Sequence, residues 1–475
     1  MEKFRLESDS IGEKQVPADA LYGVQTLRGY ENFRITHSHL HPAMVKALGQ
    51  VKKACAISNF EAGVMDEKVK DAIVKACDAV IAGEFNDQFI CDPVQGGAGT
   101  TANMNANEVI ANLAEREFGN EPGKYEYVHP NDHVNMGQST NDVYPTSGKL
   151  GAIHLLNDMM NELALLIESF GHKAEEFDGI VKMGRTQLQD AVPIRLGQEF
   201  AAYKHALERD VVRVSMAIEG IKTVNMGASA IGTGINVDTD YLKRIVPNLS
   251  KITGYDLEQA SDLVDGTQNL DSLSAMSSAL KTMALTLSKI SNDLRLMSSG
   301  PRTGIGEINL PPKQNGSSIM PGKVNPVIPE VVTQAAFLVA GNDTTISMCV
   351  EGGQFELNAF EPVLFKSLYE SIEALTGAMN TLRVNCVDGI TANKERIEEL
   401  LNSSVGMITA LVPHIGYKPA AAIAKESLKT GTPVREIILR EGIMTNENLD
   451  EILNANELTK PGIAAKHLLI EKKNK

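Results

Sequence analysis

The segment 316–326 carries side chains that could bind and activate a small carboxylic acid. Its sequence, Gly-Ser-Ser-Ile-Met-Pro-Gly-Lys-Val-Asn-Pro, has neither the apolar period of a strand nor that of a helix, and its glycines and prolines are typical of a loop. Its hydrogen-bond donors are free backbone N–H groups and the side chains of Ser317, Ser318, Lys323 and Asn325. This set is suited to holding a carboxylate and to stabilising a developing oxyanion.

Two alternatives exist for this loop. A phosphate-binding loop needs four residues between its glycines and a Ser or Thr after the lysine, whereas here five residues intervene and Val324 follows. An ordinary surface turn is the other alternative. Asn325 and Pro326 are typical of a helix N-cap and first helical position, so we expect a helix to begin there with its positive end facing the same anion.

Three further segments, 95–107, 129–142 and 184–193, are rich in hydroxyl and amide side chains. Each of them, taken alone, could be a capped turn. Neutral donors in a row can also bind one carboxylate without adding net charge, and we regard this as the better explanation of the second segment. The candidate residues in the three segments are Thr100, Ser139, Thr140, Asn141, Thr186 and Gln187.

Histidines occur in two places that could suggest a metal site. Those at 37, 39 and 41 have no acidic or thiol partner nearby, and the turn 129–133 lacks a further carboxylate or thiol. We therefore expect solvated or capping histidines before Pro42, a hydrogen-bonded turn at 129–133, and no metal. The five cysteines are widely spaced without a paired metal spacing, which fits a reduced cytoplasm.

Composition limits the classes of partner. The 475 residues are 43% hydrophobic and 22% charged, as is ordinary for a soluble globular protein. A net charge of -15 argues against binding nucleic acid or an anionic membrane, so an anionic substrate would need a locally positive pocket. We expect no signal segment at the start and no apolar run long enough to span a bilayer.

The middle of the chain has apolar residues at steps of three and four. This spacing covers 153–170, 273–297 and 365–382 and, with helical runs near 195–222 and 327–350, predicts five long helices. Additional apolar residues flank the stripes, which indicates helices that bury more than one face and a bundle that packs against copies of itself. Turn signals predominate before residue 40, short helices are expected over 42–84, and short helices with clear stops follow residue 393.

The four polar segments together resemble those of the aspartase/fumarase superfamily, whose signature is Gly-Ser-Ser-x-Met-Pro-x-Lys-x-Asn. Gly-Ala-Gly-Thr at 97–100, Gln-Ser-Thr-Asn-Asp at 138–142 and Gly-Arg-Thr-Gln-Leu-Gln-Asp-Ala-Val-Pro at 184–193 are similar to the family's other blocks, in the family's order. The continuations at 325–332 and 341–345 resemble the aspartase branch. The resemblance covers essentially the whole chain.

This resemblance implies an all-α fold of three domains. They would be a mostly helical N-terminal domain at 1–141, a central five-helix bundle with the catalytic loop at 142–395, and a small helical domain at 396–475. The family assembles as homotetramers whose sites each draw on three chains. It also implies a cytoplasmic lyase that needs no organic cofactor, with L-aspartate, fumarate and ammonia as its small-molecule substrates.

The family's mechanism gives each matching residue an expected role. A base removes a proton from the carbon next to one carboxylate, which gives an aci-carboxylate dianion, and the group on the neighbouring carbon then leaves. Ser317 resembles the base, with Lys323, N–H groups and a helix end lowering its pKa. The residues that match those holding the carboxylate on which charge builds are Thr100, Ser139, Thr140 and Ser318. Those that match the site of the other carboxylate are Thr186, Lys323 and Asn325. Asn141 and Gln187 match the residues that face the amino group, and Glu330 matches a partner that supports the site.

One residue separates the two leading activities. Fumarases, and some aspartases, have His where this chain has Gln187. The difference matters because a leaving hydroxide needs a proton donor, whereas a substrate ammonium already carries its proton. Gln187 therefore favours deamination over dehydration by a class II fumarase. Cleavage of argininosuccinate or adenylosuccinate is a weaker alternative. A non-catalytic structural protein, as some lens relatives are, is disfavoured because Ser317, Lys323 and Asn325 are intact.

Overall fold

The computed structural model describes residues 3–469, and most of these are helical, which confirms the predicted fold class. The helices begin and end at the following residues: α1 Val24–Asn32, α2 Pro42–Glu61, α3 Glu67–Ile81, α4 Thr100–Arg116, α5 Thr140–Glu176, α6 Leu196–Ile221, α7 Thr239–Thr253, α8 Leu263–Gln268, α9 Asp271–Met297, α10 Val327–Glu351, α11 Glu361–Asn385, α12 Lys394–Ser403, α13 Ile408–Ile415, α14 Tyr417–Thr430, α15 Val434–Arg440, α16 Asn446–Ile452 and α17 Ala455–Leu458.

The strands are short and pair two by two. They are β1 Phe4–Asp9, β2 Gly12–Pro17, β3 Val181–Thr186, β4 Gln189–Arg195, β5 Thr223–Val224, β6 Glu258–Gln259, β7 Ile308–Asn309 and β8 Thr391–Ala392. The pairs β1-β2, β3-β4 and β7-β8 are antiparallel, and β5-β6 is parallel. Of these, β3-β4 matters most for the site, because its turn contains Gln187.

The five predicted long helices are present: α5, α9 and α11 at the regular apolar spacing, and α6 and α10 at the two further helical runs. Helix α5 begins well before the predicted stripe, and α2 is a 20-residue helix rather than a short one. At the C-terminal end, α15 lies between Pro433 and Gly442, as the turn signals predicted.

Turns occur before residue 40, at 10–11 and 18–19, but the sequence did not predict the strands and the helix of this region. Strands β1 and β2 form a hairpin there and α1 follows it. The hairpin is held by polar contacts: Asp9 accepts the N–H groups of Ile11 and Gly12 in the turn, and the Arg5 guanidinium donates to the carbonyls of Pro17 and Ala20. Such contacts leave no apolar period in the sequence.

The described chain divides into two compact units. Unit 1 comprises 3–161, 210–285 and 334–377, and unit 2 comprises 162–209, 286–333 and 378–469. The predicted division into three domains, with boundaries at 141 and 395, stays a prediction.

Within unit 1, α5 and α11 approach closely at Gly148. A Cβ at this position would lie 2.2 Å from the Phe365 ring, and the Tyr369 hydroxyl donates to the Gly148 carbonyl over 2.8 Å. Helices α9 and α10 are joined by Ser277, whose hydroxyl donates to Asp343. Glycine at 148 thus permits the packing that fixes the first turns of α5.

Within unit 2, aromatic rings pack α5 against α6. Phe170, Phe177, Phe200 and Tyr203 form a run of edge and tilted contacts. The Tyr203 hydroxyl continues to α9, where it donates to Asp293 over 3.0 Å. A separate apolar cluster holds the short helices α13 to α16 together.

Helix α5 is long and apolar enough, by length and composition alone, to cross a membrane. Charged residues such as Asp158 interrupt its apolar residues, so α5 contains no uninterrupted apolar run long enough to span a bilayer, in agreement with the expectation from the sequence. Its apolar residues Leu150, Leu156, Leu163 and Phe170 are fully buried within the chain, and core helices commonly pass the same test. The packing described above identifies α5 as a core helix.

Candidate active site

The loop 316–325 is closed by two hydrogen bonds across its neck. The N–H of Gly316 donates to the carbonyl of Lys323 over 2.8 Å, and Asn325 Nδ2 donates to the carbonyl of Gly316 over 2.7 Å. A Cβ at position 316 would lie only 2.5 Å from the Lys323 carbonyl oxygen, so this close approach needs glycine. The neck holds both ends of the segment that carries Ser317 and Ser318.

Ser317 is half-buried inside this loop, and its hydroxyl oxygen accepts two main-chain hydrogen bonds. The donors are the N–H groups of Ile319, at 3.2 Å, and Met320, at 3.1 Å. Two N–H dipoles directed at one oxygen favour negative charge on it. Ser318, the next residue, is exposed.

The expected N-cap at Asn325 is wrong. Helix α10 begins at Val327, and the Asn325 side chain is bonded to Gly316 across the loop instead of capping the helix. An Asn-Pro sequence is compatible both with capping the helix and with bonding across the loop, and in this structure the bond to Gly316 forms. The start of α10 still follows the loop directly.

Lys323, Asn325 and Glu330 line one pocket of about 880 Å³, in unit 2. Ser317 is not among its lining residues. Arg295, from the last turn of α9, also lines it, with Nη2 3.8 Å from Glu330 Oε1. Sequence reasoning missed Arg295, which lies within the apolar stripe of α9 but off its buried positions.

Thr186 and Gln187 lie at the tip of the β3-β4 hairpin and are exposed. Thr186 pairs with Gln189, so Gln187 and Leu188 form a two-residue turn, with φ of 55° and 62°. Positive φ at both positions is typical of a type I′ turn, but it is strained for side chains other than Gly, Asn or Asp. Strained backbone of this kind often occurs at functional sites.

A buried ionic cluster holds the base of this hairpin. Glu307, fully buried, is 2.8 Å from Arg185 and 2.9 Å from Lys182, and Lys182 also contacts Glu199. Arg185 directly precedes Thr186. The cluster therefore fixes the strand that presents Thr186 and Gln187.

The segment 139–141 forms the N-terminal end of α5. The Ser139 hydroxyl accepts the N–H of Asn141, and the Thr140 hydroxyl accepts Asn103 Nδ2 over 3.1 Å. Because Thr140 accepts this bond, its own proton remains available for another acceptor. Thr100, the first residue of α4, is exposed, and its hydroxyl donates to the carbonyl of Gly97 over 2.7 Å.

A buried cation lies behind this segment. Lys52 is fully buried and donates to Asn135 Oδ1 and Gln138 Oε1, at 3.0 and 2.8 Å. Burial lowers the pKa of Lys52 to about 8, while nearby thiols and Asp142 act in the opposite direction. Burial also raises the pKa of Asp142 to about 6, although N–H donors and Lys52 oppose this.

The predicted site residues are distributed over both units. Unit 1 contains Thr100, Ser139, Thr140 and Asn141. Unit 2 contains Thr186, Gln187, Ser317, Ser318, Lys323, Asn325 and Glu330. Within these sets the structure joins Thr140 to α4 through Asn103 and brings Lys323, Asn325 and Glu330 to one pocket.

The histidines have structural partners. His41 caps α2 by accepting the N–H of Ala43, and its Nε2 is 2.9 Å from Glu373. His129 accepts the N–H groups of Asn131 and Asp132. These bonds confirm a capping histidine before Pro42 and a hydrogen-bonded turn. Within residues 3–469, no group of three or more His, Cys, Asp or Glu side chains is arranged to hold a metal ion.

Comparison with known proteins assigns the family. A family model described as Lyase matches residues 12–341, more than half of the chain, and one described as Fumarase C C-terminus matches 407–460. The chain belongs to the aspartase/fumarase superfamily. Membership in this superfamily confirms the resemblance found in the polar segments, and with it the prediction of a lyase.

Named relatives in the superfamily match over nearly their whole length. An aspartate ammonia-lyase from a Bacillus species is 52% identical over 462 residues, which are 97% of this chain and 99% of the relative. A crystal structure of fumarate lyase:delta crystallin from Brucella melitensis bound to cobalt is 47% identical, with a TM-score of 0.94, and the match covers 97% of this chain and 100% of that one. A class II fumarase from Schistosoma mansoni is 34% identical with a TM-score of 0.92, over 97% of this chain and 100% of that one.

Proposed function

We propose that this superfamily member catalyses the reversible deamination of L-aspartate to fumarate and ammonia in the cytoplasm. The Bacillus relative, half identical to this chain, bears the name aspartate ammonia-lyase. The reaction passes through an aci-carboxylate dianion, which forms when a base removes the proton next to one carboxylate. The chain uses no organic cofactor for this step.

Ser317 is the base, and the observation that carries this assignment is the pair of N–H groups directed at its oxygen. A serine hydroxyl is a poor base at neutral pH, because its alkoxide is very unstable in water. Hydrogen bonds from Ile319 and Met320 stabilise the alkoxide relative to the hydroxyl and so lower the pKa of Ser317. The ammonium of Lys323, seven residues from the first glycine of the loop, adds positive potential to the same segment.

Hydroxyl donors hold the carboxylate on which charge builds. Thr140 supports this role best, because its oxygen is occupied by Asn103 and its proton is free to be donated. Ser139 and Ser318 supply further hydroxyls, and Thr100 joins them when its proton turns from the Gly97 carbonyl to the substrate. Donors that are already oriented stabilise the dianion without reorganising during the reaction.

The second carboxylate is bound by Lys323, Asn325 and Thr186. Asn325 donates one of its two amide protons to the Gly316 carbonyl, and the second is available for the substrate. The pocket of about 880 Å³ beside Lys323 and Asn325 has room for a four-carbon diacid. Glu330, in the first turn of α10, lines the same pocket as Lys323 and Asn325.

Two carboxamides recognise the amino group. Asn141 donates from Nδ2 to the carbonyl of Ala230 over 2.7 Å, which leaves Oδ1 as the acceptor for a substrate ammonium. Gln187, at the hairpin tip, provides the second acceptor. Neither group titrates, so neither can protonate a leaving hydroxide.

The active species is a homotetramer whose sites each draw on three chains. Helix α10 supports assembly, because its large apolar residues Phe337 and Met348 are 68% and 70% exposed in the single chain. Val331 and Leu338 of the same helix are also exposed. Several large apolar residues exposed on one long helix are typical of an interface.

A class II fumarase is the second candidate, favoured by the likeness to the Schistosoma mansoni enzyme. Dehydration of malate needs an acid for the leaving hydroxide, and Gln187 cannot supply one. A purely structural protein would not need a serine oxygen that accepts two main-chain N–H groups. Deamination therefore agrees best with the residues of the site.

The test is to give the purified protein L-aspartate or L-malate and to follow the ultraviolet absorbance of fumarate. We expect fumarate from aspartate and none from malate. Fumarate from malate alone would make the protein a fumarase, and fumarate from neither would end the proposal. The reverse reaction, loss of fumarate on adding ammonium, is the matching control for reversibility.

A further inference from the structure

Asn141 is the residue assigned to the amino group, and its backbone is unusual. Pro145, four residues later in α5, has no N–H to bond the Asn141 carbonyl, so the helix leaves this carbonyl free. Asn225 Nδ2 donates to it over 3.0 Å and also donates to Thr267. A side chain far away in the sequence therefore replaces the missing helical hydrogen bond.

The Asn141 side chain is oriented by the same part of the chain, which we call the 225–230 loop. Its Nδ2 donates to the carbonyl of Ala230 over 2.7 Å. An amide group can pair with a carbonyl only through its nitrogen, so Ala230 decides which end of the carboxamide faces outward. The outward end is Oδ1, an acceptor suited to an ammonium.

Asp142 fastens the 225–230 loop to the start of α5. Its Oδ2 accepts the N–H groups of Gly227 and Ser229, both at 3.1 Å, and its Oδ1 accepts the N–H of Ser139 at 3.0 Å. Asp142 is fully buried. One carboxylate thus holds both the segment that carries Asn141 and the loop that orients its side chain.

The loop adopts a conformation that needs such support. Ser229 has φ of 56°, which is uncommon for a residue with a side chain, and Gly227 has φ of 92°. The φ at 227 favours glycine, and a Cβ there would also lie 2.3 Å from the end of the Leu242 side chain, which would have to move. Without acceptors for its N–H groups, the loop would relax and move Ala230 away from Asn141.

From these contacts we propose that Asp142 is a positioning residue that fixes the Asn141 carboxamide with its oxygen outward, and thereby sets the preference for ligands that carry an amino group. The inference rests on the proposed function, because it assigns Asn141 to the substrate ammonium. Asp142 touches no substrate. It acts only through the 225–230 loop and Asn141.

The variant Asp142→Asn tests this proposal. It replaces one carboxylate oxygen by an NH₂ group, which cannot accept, so the side chain loses either Ser139 or the Gly227 and Ser229 pair. We expect the KM for L-aspartate to rise about tenfold or more, as for loss of a hydrogen bond to a charged group. The inhibition constant of succinate, a diacid without an amino group, should rise by a clearly smaller factor, since Asp142 affects its binding only through the Ser139 N–H and not through Asn141.

Two further variants separate positioning from general damage. Asp262→Asn is the matched control, because Asp262 also accepts main-chain N–H groups, at the start of α8, but does not contact the 225–230 loop through them. It should leave unchanged the ratio of the KM for L-aspartate to the inhibition constant of succinate. Asn225→Asp removes the donor to the Asn141 carbonyl and should shift the ratio in the same direction; an unchanged ratio would contradict control of Asn141 by the 225–230 loop, through which Asp142 is proposed to act.

A double-variant cycle completes the test. Because Asp142 acts through Asn141, adding Asp142→Asn to Asn141→Ala should change the ratio no further. The proposal is overturned if both constants shift by the same factor, if neither shifts, or if the two substitutions are additive. A wild-type protein that does not release fumarate from aspartate would refute the proposed function, and this inference with it, whereas an unchanged ratio in an active enzyme refutes the inference alone.

Discussion

Asn325 Nδ2 donates to the main-chain carbonyl of Gly316 over 2.7 Å and so closes the loop that carries Ser317. The second closing bond, from the Gly316 N–H to Lys323, leaves no space for a side chain at 316. The position of the proposed base therefore depends on two contacts at the neck of the loop, both made by the main chain of the preceding residue, Gly316.

Gly316→Ala tests this dependence. Its methyl group would lie 2.5 Å from the Lys323 carbonyl oxygen, so the neck must open and Ser317 must move. We expect kcat for aspartate to fall about a hundredfold, as small misplacements of reacting groups do, with the native mass unchanged. Gly179→Ala is the control, because a Cβ there meets nothing within 4 Å. Equal activity of the two variants would contradict a closed loop.

Glu307 should contribute strongly to stability through the base of the β3-β4 hairpin. Glu307→Gln leaves the buried Lys182 and the partly buried Arg185 beside a neutral group, and we expect the free energy of unfolding to fall by about 3 kcal/mol, since removing one partner of a buried ion pair is costly. Urea unfolding at equal protomer concentration measures this. Lys243→Gln breaks an exposed pair with Asp240 and should cost less than about 1 kcal/mol. Similar losses in both variants would argue against the buried cluster.

His154 should make stability depend on acid pH. Burial, and then the charge of Lys46, lower its pKa from 6.5 to about 4, while Asp158 acts in the opposite direction. The folded state holds the neutral ring, because Gln50 accepts from Nε2 at 2.8 Å and the Tyr255 hydroxyl donates to Nδ1 at 2.7 Å.

For a group whose folded pKa is depressed, stability is present above the unfolded pKa and is lost as pH falls through the folded value. We therefore expect wild-type protein to lose stability as pH falls from 6.5 towards 4, measured by urea unfolding at several pH values. His154→Gln, which cannot take a proton, should show a smaller loss over this range. Parallel pH profiles would contradict a neutral, buried His154.

Helix α10 should be part of the subunit interface. Phe337→Glu places a charge on its exposed apolar face, and we expect native mass measurements to find smaller species in place of the tetramer. Specific activity should fall about tenfold or more with assembly, because each site needs several chains and central interface aromatics are commonly hot spots. Tyr417→Glu, a change at a residue equally exposed in α14, should leave mass and activity intact. An intact tetramer for Phe337→Glu would exclude this face.

Much of the fold could be predicted from the sequence, because apolar spacing reports helices directly. It found α5, α9 and α11, and the helical runs near 195–222 and 327–350 found α6 and α10. It could not find the β1-β2 hairpin, because Arg5 and Asp9 hold that hairpin through polar contacts to main-chain atoms. Polar contacts of this kind do not produce apolar periodicity in the sequence.

The candidate site could likewise be predicted only in part from the sequence. Motif residues such as Ser317 could be named from the sequence, whereas their supports could not. Asp142 meets its loop 85 and 87 residues away, and Asn141 meets Ala230 at a separation of 89. Asn325 was expected to cap a helix, and only the fold reveals its bond to Gly316. Long-range hydrogen bonds of this kind leave no local pattern.

The rate of fumarate formation by Ser317→Ala tests the central claim most directly, with the exposed serine variant Ser403→Ala as its control. If Ser317 removes the proton, its loss should lower kcat for L-aspartate by at least about a hundredfold, the smaller end of what a general base contributes. The native mass should stay that of the wild-type protein, and Ser403→Ala should keep full activity. A Ser317→Ala protein that still forms fumarate within about tenfold of the wild-type rate would contradict the account, because general-base catalysis contributes more than that.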